Sequence, residues 1–227
     1  MAGKLYGVGV GPGNPKLMTY LAVETIGRCQ VIAVPADGKE NAVSYQIARG
    51  IVEGIDEKEC ISLEIPMTKD KKVLGEAYSH GAELIVQKLR EGKDVAYLTL
   101  GDPTVYSTYI YIHRIVGDMG YETEIINGIP SFCAASARVN DSLVDRSEQL
   151  HIIPSTYDIE EALMLDGTKV LMKAASKMSL VKETIRRNGL DGVMVENCGM
   201  DTEEVYTGVD KIPDDAGYFS LIMIKGE

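Results

Sequence analysis

Three glycine-containing turns carry the residues in this sequence best placed to meet a ligand. The first is Gly7-Val8-Gly9-Val10-Gly11-Pro12-Gly13, in and just after the apolar stretch Lys4–Val10. Glycine lets a backbone approach a bound nucleotide closely. The spacing nevertheless fails the dinucleotide fingerprint G-x-G-x-x-G. Its third glycine would fall at Asn14 counted from Gly9, or at Pro12 counted from Gly7. No G-K-[ST] follows, so a P-loop is excluded. A turn that serves only tight packing explains the same residues equally well. The second turn is Gly101-Asp102-Pro103, after a strongly apolar run. Loops at the carboxyl ends of parallel strands are where α/β proteins bind ligands. Asp102 would bond a ligand hydroxyl there, or cap a helix beginning near Thr104, and capping is the simpler role. The third is Gly128-Ile129-Pro130-Ser131, with Ser131 at a helix start; capping is again the default.

Side chains suited to acid–base or metal chemistry are dispersed. His80, His113 and His151 stand alone, and no His/Asp arrangement marks a general base. Structural or surface roles suit all three. Cys29, Cys60, Cys133 and Cys198 form no C-x-x-C pair and no zinc or iron–sulfur spacing. They read as ordinary buried thiols of a reducing compartment, and no protein-bound metal is expected. No catalytic residue is assigned.

The elements that must position these turns alternate between short apolar runs and longer amphipathic ones. Strands are expected at Lys4–Val10, Gln30–Pro35, Cys60–Ile65 and Asp94–Leu100. Helices are expected at Leu17–Arg28, Asn41–Glu53, Lys71–Glu91 and Val105–Met119. That alternation predicts a mostly parallel α/β sheet. The pattern restarts after Tyr121, with strands at Glu122–Ile126, Leu150–Ile153, Thr168–Met172 and Gly192–Glu196. Helices fall at Ser131–Val139, Ile159–Leu165 and Met178–Asn188. Two closing strands, Glu203–Thr207 and Tyr218–Lys225, are separated only by a loop and make this sheet mixed. The expectation is two small α/β domains, residues 1–118 and 119–227, with a ligand cleft between them.

Composition narrows the classes. At 45% hydrophobic and 25% charged residues, the chain is ordinary for a globular protein. It has 12 Tyr and 10 Met but 2 Phe and no Trp, so aliphatic residues, Met and Tyr must fill its cores. A net charge of −11 and the lack of a basic tract argue against nucleic-acid binding. No apolar run approaches the ~20 residues of a membrane span, and the glycine-broken start is no signal peptide. A cytoplasmic protein is expected.

The order of the turns is more specific than any one of them. G-V-G-P-G-N-P-x-L-M-T (9–19), L-G-D-P-T-V-Y-S-T (100–108) and G-I-P-S-F (128–132) resemble the signatures of the tetrapyrrole methylase family. The likeness continues through Val170–Lys173, Val195–Met200 and Tyr218–Leu221. I-P-M-T-K-D (65–70), G-D-P-T-V-Y-S-T-Y (101–109) and I-P-S-F-C-A-A (129–135) resemble the branch that methylates C-20 of precorrin-2 or cobalt-factor II on the way to cobalamin. Asn14 stands where many relatives carry Asp, and both suit a turn.

The resemblance implies a homodimeric methyltransferase that folds S-adenosylmethionine (SAM) into the interdomain cleft. By position, Pro12, Leu100, Gly101, Asp102, Val105, Ser131, Phe132, Met172, Asn197 and Cys198 would meet SAM. Tyr106, Tyr109 and Lys173 would meet the tetrapyrrole, although Tyr109 and Tyr111 cannot face the same way on one helix. Because tetrapyrrole precursors carry many carboxylates, an acidic chain needs a local basic set. The candidates are Lys69, Lys71, Lys72, Arg138, Arg146, Lys173 and Lys177, of which Lys173 directly follows Met172. The alternatives are another acceptor within the same fold, a non-catalytic nucleotide-binding module, and an oxidoreductase, which the broken glycine fingerprint disfavours.

Overall fold

The computed structural model describes residues 1–154 and 157–226. The chain divides into two compact units, Met1–Pro130 and Ser131–Glu227. In the first, strands β1 (Leu5–Gly9), β2 (Val31–Val34), β3 (Glu59–Ser62), β4 (Val95–Thr99) and β5 (Thr123–Ile126) form one sheet in the order β3-β2-β4-β1-β5. Every neighbouring pair is parallel. Strands β1, β2 and β4 are buried along their whole length, which is why they read as continuous apolar runs.

Side-chain alternation divides the core of this unit into two layers. Val8, Val10, Ile32, Val34, Ala96 and Leu98 pack beneath helices α1 (Tyr20–Arg28) and α2 (Val43–Arg49). Leu5, Val31, Ala33, Val95 and Tyr97 pack beneath α3 (Lys71–Arg90) and α4 (Tyr109–Asp118). Residues on opposite faces differ by one position, as the period of a strand demands. Caps fix where two helices begin. Thr19 accepts from Ala22 N, so α1 starts three residues later than its apolar pattern suggests. Asp70 accepts from Lys72 N and Val73 N and starts α3.

The domain division expected after residue 118 falls instead after Pro130. β5 extends the first sheet, running parallel to β1 with Leu5 opposite Thr123 and Val8 opposite Ile126. The pattern that restarts at Tyr121 is therefore the next strand of the same sheet.

The second unit carries α5 (Ser131–Arg138), β6 (Leu150–Pro154), α6 (Ile159–Leu163), β7 (Thr168–Met172), α7 (Met178–Arg187), β8 (Val193–Glu196), β9 (Glu204–Thr207) and β10 (Ser220–Ile224). Its sheet has the order β6-β7-β10-β8-β9 and is mixed. β6 and β7 are parallel, while β10 is antiparallel to both its neighbours. Leu171, Met194, Ile222 and Ile224 pack against Ala162, Val181 and Ile185 of the covering helices. Buried Lys182 of α7 donates to the Ile212 carbonyl and to Asp214, 2.7 Å away, so the charge is paired. No helix among the described residues is long and apolar enough to cross a membrane.

The cysteines differ from the uniform burial expected of them. Cys29 is buried, Cys60 and Cys198 are half-buried, and Cys133 is exposed. Burial, then the nearby Asp94 charge, push the Cys29 thiol up to about 12, so it holds its proton at neutral pH. A thiol-selective reagent at neutral pH is expected to label Cys133 in the native protein and Cys29 only in denaturant. Peptide mapping of the labelled sites checks this.

Candidate functional site

In the first unit the glycine turns meet one another. Gly11 and Gly101 form an isolated antiparallel bridge, with N–H to O distances of 3.2 Å and 2.8 Å. Both have left-handed φ values, 75° and 72°, which glycine adopts without a Cβ penalty. A Cβ on Gly9 would lie 2.5 Å from the Gly128 nitrogen, and one on Gly128 would run into the Gly101 carbonyl oxygen. The loops after β1, β4 and β5 therefore touch backbone to backbone, at the carboxyl ends of three adjacent parallel strands.

Asp102 ties these loops together. One carboxylate oxygen accepts from the Thr104 amide at 2.7 Å and from the Thr104 hydroxyl. The other accepts from Asn127 Nδ2 at 3.1 Å and the Gly128 amide at 3.0 Å. Burial works against the charge, but bonds from Thr104, then Asn127 and Gly128, outweigh it and hold the carboxyl below its ordinary range. The expected local turn bond to Thr104 is present. The long-range bonds across to residues 127 and 128 had no sequence signal.

Around this knot Pro12 is buried, and Leu100 and Val105 are half-buried. Helix α4 begins at Tyr109 rather than Val105, because Tyr106 takes a left-handed φ of 47° and Ser107 Oγ accepts from Tyr109 N. Tyr106 is half-exposed. Tyr109, expected to line a substrate site, is instead a core residue with no exposed surface. Its ring fills the space where a Cβ on Gly7 would stand, and its hydroxyl donates to the Glu124 carbonyl at 3.1 Å. The same hydroxyl lies 3.0 Å from His113 Nδ1, while Thr123 Oγ1 meets His113 Nε2 at 3.3 Å, so both imidazole nitrogens are engaged.

In the second unit, the remaining candidates fall into two places. Ser131 and Phe132 open α5, with Phe132 buried. Met172 ends β7 with Lys173 next after it, and Asn197 and Cys198 follow β8, at the same end of the sheet. The start of β10 runs between them, with Leu221 opposite Met172 and Ser220 opposite Glu196. Asn197 N donates to the Phe219 carbonyl at 3.2 Å. Lys173 and Asn197 both carry left-handed φ values, 58° and 50°, uncommon outside glycine. Burial, then the neighbouring Glu203, raise the Cys198 thiol to about 11. Glu203 also pairs with Arg138 and accepts from the Gly199 amide at 2.7 Å, which removes Arg138 from the free basic set. The role of Glu203 is not legible in the sequence, which reads it only as the first residue of the strand Glu203–Thr207. A separate cavity of 450 Å³, lined by Leu163, Asp166, Lys169 and Asn188 among others, lies toward the other end of β7 and holds none of the candidates. Among the described residues no cluster of three or more His, Cys, Asp or Glu is placed to hold a metal.

The family model of tetrapyrrole (corrin/porphyrin) methylases matches residues 4–211. The chain belongs to that family. Across 98% of its length this tetrapyrrole methylase is 36% identical to a probable cobalt-precorrin-2 C(20)-methyltransferase of Methanocaldococcus jannaschii, covering 96% of that protein. It is 29% identical to the precorrin-2 C(20)-methyltransferase of a Sinorhizobium species, over 99% of this chain and 96% of the relative. Among solved structures, a cobalt precorrin-4 methyltransferase superposes with a TM-score of 0.77 at 19% identity, over 98% of this chain and 94% of that one. A uroporphyrin-III C-methyltransferase from Thermus thermophilus, solved with S-adenosylhomocysteine, gives 0.73 at 16% identity, over 98% and 97% of the two chains.

Gly128→Ala and Asp102→Asn test the knot, with Gly75→Ala on α3 as a control outside it. Gly128→Ala is expected to destabilise the protein by about 1–3 kcal/mol through forced loop separation. Gly75→Ala, on exposed α3 surface with nothing within 4 Å, is expected to stabilise it by about 0.5–1 kcal/mol. Urea unfolding reads both. Asp102→Asn faces a donor group toward donors and is expected to cost about 1–3 kcal/mol at neutral pH. Because the folded Asp102 carboxyl sits below its ordinary 3.8, its contribution is complete above that value and lost as pH falls through the folded one. The stability curves of the native and Asp102→Asn proteins should therefore converge in acid.

Proposed function

We propose that this protein is a SAM-dependent methyltransferase that methylates C-20 of cobalt-factor II or precorrin-2 in cobalamin biosynthesis. The observation that carries this reading is the likeness, over nearly the whole of both chains, to the archaeal and bacterial C(20)-methyltransferases. The archaeal relative, at 36% identity, is named for a cobalt-bearing substrate, which favours cobalt-factor II.

The residues present suit SAM. The glycine contacts at Gly9, Gly101 and Gly128 leave main chain, not bulky side chains, at the carboxyl ends of β1, β4 and β5. Backbone groups there can hold an amino-acid tail, ribose and adenine without a charge cluster. Asp102 already serves Thr104, Asn127 and Gly128, so the main chain of residues 100–102 would supply the contact from this loop. Pro12 and Val105 would add apolar surface. In the second unit, Ser131, Phe132, Met172, Asn197 and Cys198 are the positions that would meet SAM by the family resemblance.

When bound, SAM supplies a methyl on a positively charged sulfur. The C-20 meso carbon of the tetrapyrrole supplies the electron pair; the C–C bond forms as the S–CH3 bond breaks, S-adenosylhomocysteine leaves, and the meso proton is released. Alignment and exclusion of water are then the protein's main tasks. His113 is held by Tyr109 and Thr123, which makes it a poor proton acceptor for this step. The reading also carries a cytoplasmic homodimer, for which light scattering should give twice the chain mass.

Incubating purified protein with SAM and either tetrapyrrole, followed by mass spectrometry, tests the proposal. One added methyl on the cobalt form is the expected result. Methylation of the metal-free form alone would reassign the substrate. SAM binding with neither compound methylated would point to another acceptor.

A further inference from the structure

At the carboxyl ends of β7 and β8, a cation sits on an exposed aromatic pair. Lys173 Nζ lies 5.6 Å from the centroid of the Tyr218 ring. Tyr218 meets Phe219 edge-to-face, with centroids 5.2 Å apart and planes at 79°. Both rings are unusually open for aromatic residues at the start of a buried strand, at 46% and 36% exposure. Among the described residues no carboxylate lies within ion-pairing distance of Lys173, although the chain carries a net charge of −11. The ammonium is therefore placed by a ring, which leaves its donors open to an incoming acceptor.

The backbone bears a cost for this arrangement. Lys173 has φ 58°, a left-handed conformation that a side chain with a Cβ seldom adopts. Asn197, on the other side of β10, has φ 50° and is fastened to the Phe219 carbonyl. Tyr218 and Phe219 are anchored from below as well. Gly217 N donates to Glu196, and Ser220 Oγ donates to the Gly217 carbonyl. Strain held in place by surrounding bonds and paired with exposed apolar surface is characteristic of ligand contacts.

We infer that Lys173 is a specificity residue that binds a peripheral carboxylate of the tetrapyrrole, and that Tyr218 is the positioning residue that holds its ammonium. This rests on the C-20 methyltransferase reading and names one anchor within it. A multiply carboxylated macrocycle approaching an acidic protein needs at least one cation that no neighbouring acid has neutralised. The Tyr218 face holds the lysine without competing for its hydrogen bonds.

The test is an absorbance titration of cobalt-factor II, together with steady-state turnover at varied salt, on five variants. Lys173→Met is expected to weaken tetrapyrrole binding and raise its KM about tenfold, with kcat changed by less than about twofold and the KM for SAM unchanged. Lys173→Arg should restore most of the affinity. Tyr218→Phe keeps the ring and should match the native protein, whereas Tyr218→Leu should raise KM about threefold. Added salt should weaken binding by the native protein more than by Lys173→Met. Lys173→Gly relieves the left-handed backbone and should raise the unfolding midpoint while weakening substrate binding, a combination that a purely structural lysine would not give. Unchanged tetrapyrrole affinity in Lys173→Met overturns the anchor. Unchanged affinity in Tyr218→Leu, with Lys173→Met weakened, overturns the positioning role. Absence of turnover by the native protein overturns the C-20 reading instead, and the binding titration still judges Lys173.

Discussion

The first unit depends on three backbones being allowed to touch. Parallel pairing places the end of β1 about 4.8 Å from the ends of β4 and β5 on either side, so the loops leaving them compete for one small volume. Glycine at positions 9 and 128 removes the side chains that would hold those loops apart, and Gly101 takes the left-handed φ of 72° that its bridge to Gly11 needs. Asp102 then supplies the attraction, with four donors from two loops converging on its two oxygens. Sterics permit the approach and electrostatics fix it. A loop held this way presents main-chain groups with little freedom left to lose when a ligand arrives.

Much of the architecture was legible because the buried strands leave long apolar runs and the helices leave amphipathic ones. β1, β2, β4 and β7 lie where the apolar stretches placed them, to within a residue or two at each end. The mixed character of the second sheet followed from two strands with only a loop between them. The division after residue 118 was misread for a physical reason. β5 is only partly buried and forms an edge, so nothing in its composition distinguishes a fifth strand of the first sheet from the opening strand of a second. Register between distant segments decides that, and a single sequence does not display it.

The candidate site was legible where chemistry follows from order along the chain and obscure where it follows from packing. The glycine turns were visible, and so was the local role of Asp102. Its reach across to Asn127 and Gly128 was not, because it spans 26 positions to Gly128. Tyr109 was assigned to a ligand because it lies in a motif, yet the space above Gly7 claims its ring. Helical spacing warned that Tyr109 and Tyr111 could not share a face, without saying which was buried. Tyr218 and Phe219 stood in the closing motif as a mark of likeness. Only the antiparallel entry of β10 between β7 and β8 gives them a cation to hold.

That entry has a bearing on how the protein is made. β10, residues 220–224, is the central strand of its sheet and the last of its strands to leave the ribosome. β6, β7, β8 and β9 are all synthesised before the strand that joins them. The first sheet also waits for an inner strand, since β4 joins β2 to β1, but it is complete once residue 126 emerges. During translation the early half can complete its sheet first, while the later half waits, with β7 and β8 each presenting an unsatisfied edge. Those open edges invite pairing with other nascent chains. For this protein, the interval between β9 and β10 is a period of exposure that chaperones or rapid synthesis must cover.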